Sequence, residues 1–327
     1  MSPIPVSQQM AIGIDIGGTN TVFGLVDHRG EIHYRGAIST KKHRDVKLFI
    51  EELYEAIKPA IDEVGGNDFI RGIGIGAPNG NYYNGSIEYA PNLPWDGFIP
   101  LAEMIKERFG LLSALTNDAN AAAVGEMMYG AAKGMKDFIM ITLGTGVGSG
   151  IVVNGQVVYG HDGFAGELGH TIIIPGGRRH WSTGAEGSLE TYASATGVRL
   201  TALELLEKNP GTDSLLRNHI PEDIDSRLVY DCAIEGDAIC NEVYRYTGEV
   251  LGKALANFVM FSSPEAIILF GGLCKAGDLL FDPVQKHMEA NLLPIFQNKV
   301  KLFMSELKES DAAILGASAL VWELRED

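Results

Sequence analysis

The sequence predicts an α/β protein built from two lobes of similar local design. Its 327 residues suit roughly two domains, at about 150 residues per domain. Short apolar runs that end at glycine alternate with stretches whose apolar residues recur at helical spacing. A strand, a glycine-containing turn and a return strand occur at Gly17 and again at Gly144, 127 positions later. Such a duplicated opening indicates two like-folded lobes with a cleft between them, although two hairpins can also resemble each other by chance.

The first half of the chain opens with a predicted strand pair. Residues 11–16 read as a buried strand, and residues 22–26 form the return strand after the turn. Residues 47–64 show helical spacing and stop at Gly65 and Gly66. Residues 70–75 are a further strand that ends before a proline turn.

The second half repeats this opening and then becomes helical. Residues 138–143 and 151–153 are predicted strands around a glycine-rich turn, and Asn154-Gly155 predicts a tight hairpin. The remaining predictions are a mostly helical region at 191–260, a buried strand at 266–270 and a closing helix at 312–324.

Composition restricts the possible partners. The chain is 46% hydrophobic and 21% charged, which is typical of a folded globular protein. It carries 26 lysine and arginine residues against 42 aspartate and glutamate residues, a formal net charge of −16. Nucleic acids and anionic membranes are bound through basic patches, so we expect neither as a partner.

Three features of the sequence predict a cytoplasmic protein. No apolar run approaches the roughly 18 residues that a membrane-spanning helix needs. Residues 1–10 lack the positive charge and the apolar stretch of a signal peptide. Cys232, Cys240 and Cys274 are odd in number and lack metal-ligand spacing, which fits reduced thiols.

Three glycine-containing turns that follow apolar strands predict a nucleotide site. They are Gly17-Gly18-Thr19, Gly144-Thr145-Gly146 and Gly271-Gly272. Glycine lets backbone N–H groups approach a phosphate closely, and a threonine hydroxyl adds a donor. Any one of these turns could be a plain hairpin turn, but Asp15 beside the first could hold Mg²⁺ through water. No stretch has the spacing of a P-loop or places a dinucleotide fingerprint between a strand and a helix.

Six segments resemble the signature of the ROK family, which comprises repressors, open reading frames and sugar kinases. They are Asp15-Ile-Gly-Gly-Thr-Asn20, Thr116-Asn-Asp-Ala-Asn-Ala121, Leu143-Gly-Thr-Gly-Val-Gly148, Gly166-Glu-Leu-Gly-His170, Leu189-Glu-Thr-Tyr-Ala-Ser194 and Phe270-Gly-Gly272. They come in the family's order and cover nearly the whole chain.

The resemblance implies an α/β, two-domain, actin-like and hexokinase-like (ribonuclease H-like) ATPase fold, in which ATP and a hexose meet in the interdomain cleft. We expect a small lobe at 1–116, joined by a C-terminal helix at about 311–327, and a large lobe at 117–310. Repressors of the family carry a winged helix-turn-helix ahead of the kinase-like body. Because the first phosphate turn here begins at Asp15, we expect an enzyme.

By the same resemblance, Asp118 is the catalytic base that takes the proton of the sugar 6-hydroxyl. A carboxylate at a strand-to-helix junction can serve phosphoryl transfer in this way, although aspartate is also a common helix N-cap. The expected sugar-binding residues are Asn92, Asn117, Asp118, Glu167, His170 and Glu190. The expected ATP-binding residues are Asp15, Gly17, Gly18, Thr19, Asn20, Thr145, Gly146, Gly271 and Gly272. The plainer alternatives are a structural role for His170 and a turn-forming role for Asn92.

One departure from the family concerns zinc. Many members carry Cys-x-Cys-Gly-x-x-Gly-Cys-x-Glu, whose three thiolates bind a structural zinc with the histidine that matches His170. Here Trp181, Thr183 and Ser188 occupy the cysteine positions. Hydroxyls are poor zinc ligands and an indole is none, so we expect no zinc. We expect a buried Trp181 to hold this loop by packing.

The function expected from these observations is ATP-dependent phosphorylation of a hexose at the 6-hydroxyl, assisted by Mg²⁺, in a glucokinase-type homodimer. Another hexose is the first alternative, with N-acetylmannosamine, N-acetylglucosamine, mannose and fructose as candidates. A sugar-sensing regulator without catalytic activity is the second.

Overall fold

The computed structural model describes residues 9–322, and these divide into two compact units. The first unit contains 9–135, 150–166 and 306–322, and the second contains Lys136–Ser149 and Glu167–Ser305. The closing helix predicted to reach residue 324, and the lobe boundary at 327, extend beyond the described residues, as does most of 1–10.

The described residues form thirteen strands and nine α-helices. The strands are β1 Met10–Ile16, β2 Asn20–Asp27, β3 Ile32–Ser39, β4 Ile70–Ala77, β5 Gly80–Asn81, β6 Ser86–Glu88, β7 Phe98–Ile99, β8 Ser113–Asn117, β9 Phe138–Leu143, β10 Val147–Val153, β11 Gln156–Val157, β12 Ala266–Phe270 and β13 Lys301–Met304. The helices are α1 Val46–Glu63, α2 Leu101–Phe109, α3 Asp118–Tyr129, α4 Glu190–Ala193, α5 Ala195–Lys208, α6 Ser226–Ile234, α7 Ala238–Ser262, α8 Asp278–Asn291 and α9 Glu309–Trp322.

The first unit is organised by a five-stranded sheet of order β3-β2-β1-β4-β8. β1, β2 and β3 pair antiparallel in sequence order, whereas β1, β4 and β8 run parallel. The parallel strands therefore end at one edge of the sheet. A separate antiparallel sheet of order β5-β6-β7 lies in the same unit.

The two faces of this sheet differ in side-chain size. Ile12, Ile14 and Ile16 of β1 are buried in a core that α1 and α2 complete. On the other face, a methyl group at Gly74 of β4 would overlap the carbonyl oxygen of Ala317. Helix α9 can therefore lie directly on the backbone of β1 and β4, which explains the alternating glycines of β4.

Helix α3 belongs to the first unit because it packs against α9. The large lobe expected at 117–310 contains this helix and residues 150–166, both of which belong to the first compact unit. The expected boundaries of the small and large lobes stay a prediction.

The second unit is organised by β9, β12, β13 and the start of β10, in the order β10-β9-β12-β13. β9, β12 and β13 are parallel, and β10 carries the chain from the second unit into the first, where it pairs with β11. Asn154 and Gly155 between them both adopt positive φ, as the predicted tight hairpin requires. Helices α5 and α8 pack against the long helix α7.

Three further sequence expectations concern one helix, the cysteines and membrane-spanning segments. The helix predicted at 47–64 is confirmed as α1, which ends before Gly65 with φ of +108°. Cys232, Cys240 and Cys274 form no disulfide. Across residues 9–322, none of the helices combines the length and the apolar character that crossing a bilayer requires.

Candidate active site

Two carboxylates lie at the edge where the parallel strands of the first unit end. Asp15 is on β1 and is paired with Gly76 of β4, while Asp118 directly follows β8, the other neighbour of β4. A methyl group on Gly76 would lie 3.3 Å from Asp15 Oδ1 and 3.7 Å from the Asp118 Cα. The Cβ position of Gly76 thus faces both aspartates, which places them on the same side of the sheet.

The junction between β8 and α3 fixes the backbone of Asp118. Asn117 is the N-cap of α3, and its Oδ1 accepts the N–H groups of Ala119 at 2.8 Å and Asn120 at 3.4 Å. Asp118 is the first helical residue, and its Oδ1 also accepts the Ala119 N–H, at 2.8 Å. The capping role considered for Asp118 therefore belongs mainly to its neighbour Asn117.

Both carboxyl groups have perturbed acidity. Burial, and then the negative charge of Asp118, raises the pKa of Asp15 to about 7. Burial also raises the pKa of Asp118 above the ordinary aspartate value, although the Ala119 N–H acts in the opposite direction. Asp118 nevertheless retains solvent-exposed surface. Protein atoms around the carboxylate weaken its hydration while a reactant can still reach it.

The first glycine turn connects β1 to β2 in the same unit. The Gly17 N–H donates to the Asn20 carbonyl at 3.0 Å, and Thr19 and Asn20 are exposed. A methyl group on Gly18 would lie 2.9 Å from the Asn92 carbonyl oxygen. The turn predicted for phosphate and the loop predicted for sugar therefore touch through backbone atoms.

The other two glycine turns share a sheet edge in the second unit. Gly144–Gly146 follows β9, and Gly271 follows β12, its parallel neighbour. Gly271 has a φ of +110°, and a methyl group there would lie 2.5 Å from the Leu143 carbonyl oxygen. Thr145 is exposed, and Gly272 begins a short 3₁₀ turn.

Glu167 immediately precedes a second 3₁₀ turn in this unit, and His170 is the last residue of that turn. Their side chains are 54% and 39% exposed, and His170 Nε2 lies 3.9 Å from Glu167 Oε2. The turn is tied to β10, since the Leu168 N–H donates to the Ser149 hydroxyl at 3.2 Å. Both side chains are accessible to a ligand.

Glu190, the third expected sugar ligand of the second unit, is held from two directions. Its Oε2 accepts the Val147 N–H at 2.7 Å, from the end of the glycine turn. Its Oε1 lies 2.6 Å from Nε2 of His180, a histidine whose side chain is 1% exposed. A methyl group on Gly146 would overlap Glu190 Oε2. Glycine at 146 therefore makes room for a carboxylate, in addition to any role toward phosphate.

The expectation that a buried Trp181 holds the neighbouring loop is wrong. Trp181 is 50% exposed and stacks on the ring of His180, with centroids 4.3 Å apart. The side chain inserted into the protein is His180, because its two ring nitrogens find hydrogen-bond partners there and an indole has only one N–H.

The residues at the family's zinc positions do not fit that metal. Thr183 is exposed, and the Ser188 hydroxyl is buried without a hydrogen-bond partner within residues 9–322. Within the same residues, one trio of histidine, cysteine or acidic side chains lies close enough to share an ion, and it is Asp27, Glu31 and His33 of the first unit. That trio contains none of the loop residues.

The predicted site residues thus fall into two groups. The first unit brings together Asp15, the turn from Gly17 to Asn20, Asn92, Asn117 and Asp118. The second unit holds Thr145, Gly146, Glu167, His170, Glu190, Gly271 and Gly272.

Sequence inspection missed Gly76 and His180. The signal for Gly76 is the alternation of glycine with isoleucine along β4, which indicates a strand whose backbone is approached closely. His180 had a weaker one, a histidine immediately before a loop that has lost its cysteines.

The chain is similar to known proteins over nearly its whole length. The sequence model of the ROK family matches residues 11–323. A glucokinase of Halalkalibacterium halodurans is 35% identical over 319 residues, which are 97% of this chain and 96% of that protein.

Two solved structures are similar over most of the chain. A ROK family glucokinase from Streptomyces griseus, in complex with glucose and AMPPNP, has a TM-score of 0.78 and 30% identity, and the match covers 95% of this chain and 98% of that one. A ROK family transcriptional regulator, homologous to the E. coli Mlc protein, has a TM-score of 0.85 and 25% identity, with 96% and 78% covered. These similarities confirm the predicted α/β, hexokinase-like fold class. The chain, as its motifs predicted, belongs to the ROK family.

Proposed function

We propose that this chain transfers the γ-phosphoryl group of ATP to the 6-hydroxyl of glucose. The chain is a hexose kinase of glucokinase type, consistent with its full-length similarity to a glucokinase. The observation that carries the proposal is the pair Asp15 and Asp118 at one sheet edge, separated by the bare backbone of Gly76. A regulator that only binds sugar needs no such pair of perturbed carboxylates.

Asp118 is the general base. The attacking hydroxyl loses its proton during transfer, and a carboxylate within hydrogen-bond reach can take it. A raised pKa makes this carboxylate a better proton acceptor, provided that it is ionised at the working pH. Its exposed surface gives the hydroxyl access, while the α3 cap holds its backbone.

Asp15 would hold Mg²⁺ through water. Carboxylate oxygens are ligands that this ion prefers, and a nearby cation would offset the burial that raises the Asp15 pKa. When bound, Mg²⁺ neutralises charge on the transferred phosphoryl group.

The remaining assignments draw on residues of both units. The ATP phosphates bind at Gly17, Gly18, Thr19 and Asn20, and at Thr145, Gly146, Gly271 and Gly272. The sugar hydroxyls bind to Asn92, Asn117, Glu167, His170 and Glu190. Amide, carboxylate and imidazole groups of this kind supply the donors and acceptors that recognise a polyol. We extend the proposal to a cytoplasmic homodimer without structural zinc, whose sugar phosphate product enters glycolysis.

A second candidate function is sugar sensing without turnover. It is favoured by the likeness to a ROK family transcriptional regulator. ADP release, coupled to NADH oxidation, separates the two functions when glucose, mannose, fructose, N-acetylglucosamine and N-acetylmannosamine are compared. We expect the highest kcat/KM with glucose. ADP release that does not depend on sugar, or no ADP release with any of the sugars, would contradict the proposal. A higher kcat/KM with another hexose would identify that hexose as the preferred substrate.

A further inference from the structure

We propose that His180 is a positioning residue, which holds Glu190 in place for the sugar and orders the loop that lacks cysteines. The inference rests on the proposed function for the role of Glu190. It goes beyond that function because His180 lies outside the residues that the ROK motifs single out.

The hydrogen-bond partners of the imidazole define one tautomer. Nδ1 lies 3.1 Å from the backbone nitrogen of Thr183 and 3.3 Å from that of Ser182, and both N–H groups point at it. Two donors require an acceptor, so Nδ1 carries no proton. A neutral imidazole then carries its proton on Nε2, and that N–H donates to Glu190 Oε1 at 2.6 Å.

The second partner of Glu190 lies on a different segment. Glu190 Oε2 accepts the Val147 N–H at 2.7 Å, so one carboxylate joins His180 to the end of the glycine turn. The Glu190 side chain is 12% exposed. A carboxylate has about four lone-pair positions, and two remain for sugar hydroxyls after these bonds are formed. Fixing its rotamer before the sugar arrives lowers the ordering cost of binding.

His180 also organises the loop from its own backbone. Its N–H donates to the Ala185 carbonyl at 2.7 Å, and its carbonyl accepts the Gly184 N–H at 3.0 Å. The ring meets that of His170 edge to face, with centroids 5.3 Å apart. One imidazole therefore contacts the loop and two expected sugar ligands, Glu190 and His170.

The two ring nitrogens can be removed separately. The amide of H180N falls near the Nδ1 position, where its oxygen can accept the Ser182 and Thr183 N–H groups, but it cannot reach Glu190. The amide nitrogen of H180Q falls near Nε2 and can donate to Glu190, but its oxygen does not serve the loop. H180A loses both contacts, and H219N at an exposed histidine is the matched control.

Glucose KM, kcat and Tm are measured for the wild-type chain and the four variants. We expect H180N to keep a Tm within a few degrees of the wild type while its glucose KM rises at least tenfold. We expect H180Q to keep KM within about threefold while its Tm falls further than that of H180N. H180A should show both a raised glucose KM and a lowered Tm. In variants that only weaken ground-state binding of glucose, kcat should change little.

Two results would overturn the inference. One is that H180N, H180Q and H180A rank in the same order by loss of Tm and by rise of glucose KM. A purely structural histidine would give that pattern. The other is a ¹⁵N histidine spectrum of the wild-type protein at neutral pH that shows protonated Nδ1 at His180, identified by its loss in H180N. A wild-type chain without activity on glucose would instead refute the proposed function, while the spectrum would still report on the contact.

Discussion

Asp15 and Asp118 lie on one side of the first unit's sheet, on either side of Gly76, and the charge of Asp118 raises the pKa of Asp15. The strand order places them there, because β1 and β8 both flank β4 and run parallel to it. A buried carboxylate whose ionisation is opposed by a neighbouring carboxylate is poorly suited to a purely structural role. The pair suits a site in which one carboxylate binds a cation and the other accepts a proton.

The pH dependence of kcat/KM for glucose should show an acid limb. Asp118 must be ionised to accept a proton, and burial raises its pKa above the ordinary aspartate value of 3.8. Activity should therefore fall as the pH is lowered through a value above 3.8. The measurement uses saturating Mg–ATP, with circular dichroism at each pH to show that the protein stays folded. An acid limb at or below the ordinary aspartate value would contradict this assignment.

Replacing Asp15 by Asn should stabilise the metal-free protein at pH 8. The folded pKa of about 7 exceeds the ordinary 3.8, so the folded state holds an extra proton between these values. Stability consequently falls as the pH rises through this window, and the cost is complete above pH 7. We expect D15N to raise Tm by about 2 °C or more at pH 8 and by less at pH 4.5, while activity falls.

Differential scanning fluorimetry without Mg²⁺ measures this effect at both pH values. An equal change in Tm at pH 8 and pH 4.5 would mean that the Asp15 charge is not responsible.

Substitution of Gly146 by Ala should displace Glu190. The added methyl group would overlap Glu190 Oε2, which accepts the Val147 N–H. We expect a lower Tm and a glucose KM raised by about tenfold, the effect of losing roughly one charged hydrogen bond. Gly144→Ala is the control for stability, since no heavy atom lies within 4 Å of its added methyl group. Equal Tm values for the two variants would contradict the proposed packing.

Chelation of transition metals should change neither Tm nor kinase activity once Mg²⁺ is restored. Trp181, Thr183 and Ser188 offer no thiolate beside His170, and one imidazole cannot hold a structural zinc. Elemental analysis of the purified protein provides the second measurement. About one zinc per chain, lost together with activity, would show that other residues bind the metal.

Much of the fold was predictable from local patterns. Apolar runs ending at glycine predicted β1, β9 and β12, and helical spacing with a glycine stop predicted α1. These features depend on residues close in sequence, so a single chain displays them. The family motifs also singled out Asp15 and Asp118, which lie where parallel strands end, while their roles stay predictions.

The incorrect and missing predictions involve contacts between distant segments. Trp181 was expected to be buried because indoles supply apolar area, whereas the space is taken by His180, which satisfies polar groups on two segments. The importance of Gly76 depends on strand order, since Asp15 and residue 118 are brought beside it by tertiary pairing. Residue type alone does not specify such neighbours.

Comparison of Asp118→Asn with the wild type tests the central claim most directly. The change preserves shape and removes the ability to accept a proton, so the fold and glucose binding should persist. Isothermal calorimetry measures glucose binding, and coupled ADP release measures turnover. We predict glucose affinity within a few-fold of the wild type and a kcat lowered by about a hundredfold or more. Turnover near the wild-type rate would show that Asp118 is not the base and would contradict the mechanism.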